Sequence, residues 1–342
     1  MKQVLVTGGC GYIGSHTIVD LVEAGYEAIS VDNFSNSSPK TLDRIHRITG
    51  TRVGNHDVDL CDRKATEDIF AAHPDIAAII HFAAHKAVGE SVQMPFKYFR
   101  NNLMSLINVA ECARKYAVPC FVYSSSCTVY GIPDDLPVTE ATPVKPAESP
   151  YGRTKQMGEQ ILEDGFRETS TRAIALRYFN PAGAHPSGEM GESPLAVGAN
   201  LVPAITETAI GLRPVIEVFG DDYDTRDGTC IRDYIHIMDL ARAHRLAMET
   251  SWEGKLTAGI EYLNLGIGEG VTVLEAIKAF EAVSGKALNY RITDRRPGDV
   301  PAIYSDYSRA RNVLGWEPEF TIQDIMRTAW AWEQRRRSGT MV

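Results

Sequence analysis

Tyr151 and Lys155 stand four residues apart in the run Ser149-Pro150-Tyr151-Gly152-Arg153-Thr154-Lys155. On a helix that spacing puts both side chains on one face. A lysine cation beside a phenol favours the phenolate and lowers the tyrosine pKa. A tyrosine tuned in this way is a candidate general base for oxidising a carbinol. Oxidation needs an electron acceptor, and the first loop offers a place for one. Gly8-x-x-Gly11-x-x-Gly14 follows the apolar run Val4-Leu5-Val6 and opens a helical pattern. Glycines permit a tight turn and close backbone approach, while the helix N-terminus presents N–H groups and a positive dipole to a pyrophosphate. Each motif alone is weak, since an ordinary glycine-rich turn looks similar. Together they point to a dinucleotide beside a proton-transferring tyrosine. Asp32, 18 residues beyond Gly14, ends the next apolar run. A carboxylate there accepts from the adenosine ribose hydroxyls and repels a 2′-phosphate, which favours NAD over NADP. Its plainer role is a loop cap.

Alternating strands and helices must position these groups. Strands are expected at 4–6, 27–31, 52–58, 76–82, 121–123 and 172–176, and helices at 12–24, 63–72, 95–116 and 151–166. The alternation predicts an α/β fold: a doubly wound parallel (Rossmann) sheet with right-handed crossovers. Ligands of such sheets lie beyond the carboxyl ends of the strands. Gly8, Asp32, Phe82, Ser124 and Tyr178 all follow predicted strands and would line one crevice. After Asn180 the pattern changes. Residues 181–194 are rich in Gly, Pro, Ser and Glu and read as a loop, and shorter mixed elements follow. The expected division is 1–180 for the dinucleotide and 181–342 for a smaller mixed α/β substrate domain, with segments such as 234–240 able to return to the first.

With 342 residues, 44% of them hydrophobic, the chain can bury a large core. Its formal net charge of -9 argues against a general nucleic-acid surface and leaves room for local arginines on an anionic small molecule. Six cysteines without a CxxC pair read as reduced thiols, not a disulfide frame or zinc site. The nine histidines show no HExxH spacing, so no metal is expected. The opening residues lack a charged stretch leading into an apolar core, and no apolar run reaches the ~18 residues of a membrane span. A cytoplasmic protein without signal peptide or membrane segment is expected.

Four longer segments carry a resemblance: His81-Phe82-Ala83-Ala84-His85-Lys86-Ala87-Val88-Gly89-Glu90-Ser91, Ser124-Ser125-Ser126-Cys127-Thr128-Val129-Tyr130-Gly131, Arg177-Tyr178-Phe179-Asn180-Pro181-Ala182-Gly183-Ala184-His185-Pro186-Ser187-Gly188, and Arg232-Asp233-Tyr234-Ile235-His236. With the glycine loop and the Tyr-x-x-x-Lys spacing, they resemble the extended short-chain dehydrogenase/reductases and, within them, the UDP-glucose 4-epimerase family. The resemblance runs from Val4 to about Trp316. It implies that Tyr151 exchanges the proton of the sugar 4-hydroxyl. Lys155 would bond the nicotinamide ribose and lower the tyrosine pKa. Ser126, the third of the triplet, would bond the same hydroxyl, and Ser125 reads as a strand-end turn.

For NAD the resemblance implies contacts from Gly8, Gly11, Tyr12, Ile13, Gly14, Asp32, Asn33, Asp59, Leu60, Phe82, Ala83, Ala84, Lys86, Asn101, Ser124, Tyr178 and Phe179. For a UDP-sugar it implies Lys86, Asn180, Asn200, Leu201 and Phe219, with Arg232 and Arg296 on the diphosphate and Asp299 on the uridine ribose. Ile303 falls where the family gates the sugar by size. Arg295-Arg296 also reads as a solvated basic pair, although Pro297-Gly298-Asp299 behind it favours a ligand role.

The implied reaction passes a hydride from sugar C4 to NAD, turns the 4-keto sugar over and returns the hydride to its other face. Nucleotide-sugar 4,6-dehydratases resemble this chain but carry Asp-Glu where it has Cys127-Thr128, which disfavours water elimination. The resemblance also implies a homodimer through the helices at 95–116 and 150–166, unless both only cover the sheet. A 4-epimerase of another UDP-sugar, a uronic acid or pentose, is the near alternative. A non-catalytic NAD-binding sensor is the alternative of a different class, and it would need none of Ser126, Tyr151 and Lys155.

Overall fold

The computed structural model describes residues 1–193, 200–256, 259–296 and 299–338. Its centre is a seven-stranded sheet. In spatial order the strands are Ile260–Leu265, Arg172–Tyr178, Cys120–Ser126, Ile76–His81, Gln3–Thr7, Glu27–Val31 and Asn55–His56. All neighbours pair in parallel. Successive side chains on a strand point to opposite faces, and the core divides accordingly. Val4, Val6 and Val122 enter the cluster with Ile18 and Leu240, whereas Leu5, Phe121 and Tyr123 enter the cluster with Phe70, Val109 and Leu162. Helices Tyr12–Glu23, Lys40–Thr49 and Ile237–Trp252 therefore cover one face, and Arg63–Ala72, Pro95–Lys115 and Pro150–Phe166 the other. The expected doubly wound α/β sheet is what the chain forms.

The order reverses between Gln3–Thr7 and Ile76–His81, so the carboxyl ends of these two strands open the crevice where such folds hold ligands. A smaller set of elements stands over it. Three short strands, Val271–Thr272, Ile231–Arg232 and Ala302–Ile303, form one sheet, and Tyr290–Thr293 pairs with Ile216–Phe219. Their core gathers Ile205, Ile277, Phe280, Ile325 and Trp330. Two of its helices, Val273–Ser284 and Ile322–Arg337, begin with reciprocal capping boxes, Thr272 with Glu275 and Thr321 with Asp324. Each box satisfies first-turn N–H groups that a helix cannot bond itself.

Several expectations are corrected. The strand expected at 52–58 shrinks to Asn55–His56 at the sheet edge, where only one neighbour supplies hydrogen bonds. The expected loop 181–194 begins inside a strand, Asn180–Ala182, which pairs with Tyr234–His236. Its last residue, Pro194, lies outside the described residues. Helices Lys40–Thr49 and Val88–Gln93 were not anticipated. The first carries its own signal in the spacing of Leu42, Ile45 and Ile48. Strand Ile260–Leu265, far along the chain, forms the other edge of the main sheet. All six cysteines are free. Among the described residues no helix is long and apolar enough to cross a membrane.

Candidate active site

The helix Pro150–Phe166, which bears Tyr151 and Lys155, starts where its sequence says it should. Ser149 caps it by accepting from the Gly152 N–H at 3.1 Å, and Pro150 fills the first helical turn, where its missing N–H costs nothing. The helix packs closely on strand Cys120–Ser126 because residue 158 is glycine. A Cβ there would stand 2.2 Å from the Tyr123 hydroxyl. That approach delivers Tyr151 and Lys155, one turn apart, to the strand end that carries Ser124 and Ser126. Lys155 is buried, donates from Nζ to the Ser124 carbonyl and lies 5.8 Å from the centre of the Tyr151 ring. Ser126 accepts from the Thr128 N–H at 3.3 Å, and its hydroxyl faces the Tyr151 phenol. The three residues expected to do the chemistry thus converge.

Their electrostatics differ from expectation. Burial pushes the Tyr151 phenol above its ordinary value, and the Ser126 hydroxyl only partly offsets this. Burial also drives Lys155 down to about 7, while the Glu159 carboxylate pulls it up. In the protein's own residues desolvation of both members outweighs the cation–phenol attraction that the spacing suggested.

The glycine loop lies under the switch point. The Cβ that any other residue would add at position 14 would meet the Gly8 carbonyl at 2.2 Å, so the loop and helix Tyr12–Glu23 fit only without it. Gly11 caps this helix with no side-chain bond, which leaves the N–H groups of its first turn for an anion. Asp32 is buried and engaged: it accepts from the Cys10 N–H at 2.9 Å, the Phe34 N–H at 2.9 Å and the Ser37 hydroxyl at 2.7 Å. It therefore does cap its loop, and a carboxylate's fourth lone-pair direction is left for a ribose hydroxyl. These features fit an adenine dinucleotide: an uncapped helix start for pyrophosphate and an anion at the end of the second strand.

Most of the remaining expected contacts lie on segments that follow strands of the main sheet. Ile13 packs beside the core of the helix it opens. Phe82 and Ala83 hang on Thr7 through 3.1 and 3.3 Å bonds, with Ala84 next in the chain. Tyr178 bonds Ser124 through their hydroxyls, and Phe179 is buried beside it. Asp59 is exposed and caps Cys61, while the buried Leu60 accepts from Asn108 at 2.8 Å. Asn33 is exposed, and Asn101 donates to Asn102 at 3.1 Å. Asn102, missed in the sequence, ties the loop at His85 to Thr154 of the catalytic helix. Lys86 meets Glu192 at 3.2 Å, and Asn200 reaches the same oxygen at 2.9 Å beside Leu201 at a helix start.

Over the crevice, Arg232 donates to Asp299 at 2.7 Å, and the Arg296 guanidinium lies 4.2 Å from the centre of the Phe219 ring. Four expected nucleotide residues are thus together. Arg295 instead pairs with Asp222 on the surface, as a solvated basic residue would. Pro297 and Gly298 lie outside the described residues. Asn180 donates its N–H to the Asp233 carbonyl at 3.0 Å. Ile303 is buried in a cluster with Phe179, Cys127 and Tyr130. Burial pushes the Cys127 thiol up to about 12, so it stands there as a neutral, small apolar group.

A family model described as GDP-mannose 4,6 dehydratase matches residues 5–329. The UDP-glucose 4-epimerase of Bacillus subtilis is 47% identical over 337 residues, covering 98% of each chain. The chain belongs to the UDP-glucose 4-epimerase family. Solved members of this family share its shape. The UDP-glucose 4-epimerase from Bifidobacterium longum, in complex with NAD+ and UDP, superposes with a TM-score of 0.94 at 45% identity, covering 99% of this chain and 100% of its own. The enzyme from Stenotrophomonas maltophila, with bound NAD and formylated UDP-arabinopyranose, gives 0.94 at 42%, covering 98% and 99%. The matching family model has a dehydratase in its description, but Cys127 and Thr128, not a pair of acids, stand beside the tyrosine of this epimerase-family chain.

Sequence reasoning missed a buried network behind the site. Arg177 and Glu159 form a two-pronged ion pair at 2.8 and 2.7 Å. Arg177 also donates to the Tyr130 hydroxyl at 3.1 Å, and that hydroxyl donates to Asn264 at 2.7 Å. Both charges are almost wholly buried, so removing one partner alone would cost about 3–5 kcal/mol. The only sequence signal was Glu159 itself, one turn beyond Lys155.

Proposed function

We propose that the chain is an NAD-dependent epimerase that interconverts UDP-glucose and UDP-galactose through a transient 4-keto sugar. The observation that carries this is the convergence of Tyr151, Ser126 and Lys155 at the carboxyl end of strand Cys120–Ser126, in a chain 47% identical to a UDP-glucose 4-epimerase. Bound along the glycine loop, NAD supplies a reversible two-electron acceptor for sugar C4. Tyr151 removes the O4 proton, with Ser126 holding the hydroxyl, and later returns it. A phenol raised by burial is a strong base once ionised, and the buried Lys155 cation is the group placed to favour that form. Arg232 and Arg296 hold the diphosphate and Asp299 the uridine ribose, so the sugar can turn while its handle stays fixed. In this reading 1–180 carry the cofactor and 181–342 the sugar nucleotide, with helix Ile237–Trp252 and strand Ile260–Leu265 returning to the first unit.

Incubating the purified protein with UDP-galactose and following UDP-glucose by NMR tests the reading; no conversion would overturn it. Asp32 selects NAD over NADP, so denatured protein should release NAD by mass spectrometry. Ile303 admits N-acetylated UDP-hexoses in addition to the plain sugars. The protein works in the cytoplasm as a homodimer. Exposed apolar side chains on and between the helices of one sheet face support the dimer: Val92, Met94, Phe96, Met104 and Met157, with Phe96 81% exposed. Burying such a side chain contributes about 1.5–3 kcal/mol.

A further inference from the structure

The Tyr151 and Lys155 pair is held from behind by a carboxylate. Tyr151, Lys155 and Glu159 occupy successive turns of one helix. The Glu159 carboxylate accepts from the Ser125 hydroxyl at 2.6 Å. Ser125 is fully buried and sits between the two residues that touch the pair. Ser124 offers its carbonyl to Lys155, and the Ser126 hydroxyl faces Tyr151. The plain reading of Ser125 as a strand-end turn leaves this bond out. Glu159 is in turn clamped by Arg177 from the neighbouring strand, and Arg177 lies against the rings of Tyr130 at 5.1 Å and Tyr262 at 4.5 Å. One carboxylate therefore joins the helix bearing Tyr151 and Lys155, the strand end bearing Ser124 and Ser126, and the next strand.

We propose that Glu159 is a positioning residue for the reaction: it fixes the catalytic helix against the serine strand and places a negative charge one helical turn from the Lys155 ammonium. This rests on the epimerase reading of the site. The other groups facing Lys155 cannot supply that charge. His81 from the adjacent strand is neutral, driven down to about 3 by burial and then by Lys155 itself. Tyr123, at 5.0 Å, and Tyr178 are buried phenols raised above their ordinary value. Tyr151 is raised as well. Arg177 carries the same sign as Lys155 and is tied up by Glu159. Without the carboxylate, no nearby negative charge opposes the effect of burial on the lysine.

The test uses the holoprotein and two variants. Glu159→Gln/Arg177→Gln removes both charges, so no charge is left unpaired. Ser125→Ala keeps both charges and removes the tie. Two quantities are read: the pH profile of kcat with UDP-galactose, and the ionisation of Lys155 from the ε-carbon shift of 13C-lysine, assigned with Lys155→Met. In the double variant the Lys155 midpoint and the alkaline limb of kcat should both move to lower pH by about half a unit or more. At pH 8 kcat should fall roughly threefold or more while KM stays within about twofold. Ser125→Ala should lower kcat and leave the midpoint in place. If the double variant titrates and turns over like wild type, with only its melting temperature reduced, Glu159 is a structural ion-pair partner and the inference fails. If wild type itself does not epimerise, the proposed function falls, and the lysine titration still decides this point.

Discussion

Arg232 and Asp299 are bonded to each other at 2.7 Å. The first is expected on a diphosphate and the second on a ribose, yet in the protein alone they neutralise one another. Arg232 also donates to the Ile231 carbonyl at 2.8 Å, so its fork is oriented before a nucleotide arrives. Arg232→Met should weaken UDP binding by about 1.5–3 kcal/mol, the range of a hydrogen bond to a charged group, and raise KM more than it lowers kcat. Calorimetry with UDP and steady-state kinetics check this.

Tyr151→Phe removes one oxygen and keeps the ring. Loss of a general base costs typically 10²–10⁴-fold in rate, and kcat should fall within about that range. UDP affinity should stay near wild type because the nucleotide residues lie on other elements. A variant with near-normal turnover would exclude Tyr151 as the base.

Ile303 is 4% exposed and packs with Phe179 and Cys127. Overfilling such a wall costs roughly 1–3 kcal/mol. Ile303→Tyr should therefore cut kcat/KM for UDP-N-acetylgalactosamine about tenfold or more relative to UDP-galactose, and Ile303→Ala should raise that ratio. Unchanged ratios in both variants would remove Ile303 from the sugar wall.

Phe96→Glu places a charge on the most exposed of the apolar side chains Phe96, Met94, Met104 and Met157. A buried unpaired carboxylate is costly enough to break an apolar interface. Light scattering at micromolar concentration should give a dimer mass for wild type and a monomer mass for the variant. A monomeric wild type would rule the dimer out.

Buried histidines should set the acid limit of stability. Burial holds His16 and His244 down to about 4 and His81 and His236 to about 3, against an ordinary 6.5. Between 6.5 and about 4 the unfolded chain binds protons on these rings and the folded chain does not. Stability is therefore full above 6.5 and falls as pH drops through that window. Melting temperature from pH 7.5 to 4.5 should decline most steeply below 6.5, and a flat profile would contradict this.

Much of the site was legible because it is local. The glycine loop, Asp32, and the helix bearing Tyr151 and Lys155 are each written within one strand–turn–helix unit, where period, caps and glycines dictate the backbone. Helix Lys40–Thr49 was legible too, in Leu42, Ile45 and Ile48, and was overlooked. The strand at Asn180–Ala182 was not, since its partner Tyr234–His236 lies more than fifty residues away and Gly and Pro around it give a loop-like composition.

By itself the sequence determined the alternation of strands and helices, the parallel sheet and the spacing that puts a tyrosine and a lysine on one helical face. Local hydrogen bonding and side-chain periodicity are enough for those. Tertiary structure alone decided the electrical state of that pair. Lys155 lies near its ordinary behaviour or far below it according to how much water reaches it and which charges stand nearby. Burial against the end of strand Cys120–Ser126, and a carboxylate held by Arg177 from another strand, are set only when distant segments pack. Likewise Arg232 and Asp299 are 67 residues apart in the chain, and only folding brings their opposite charges into one bond.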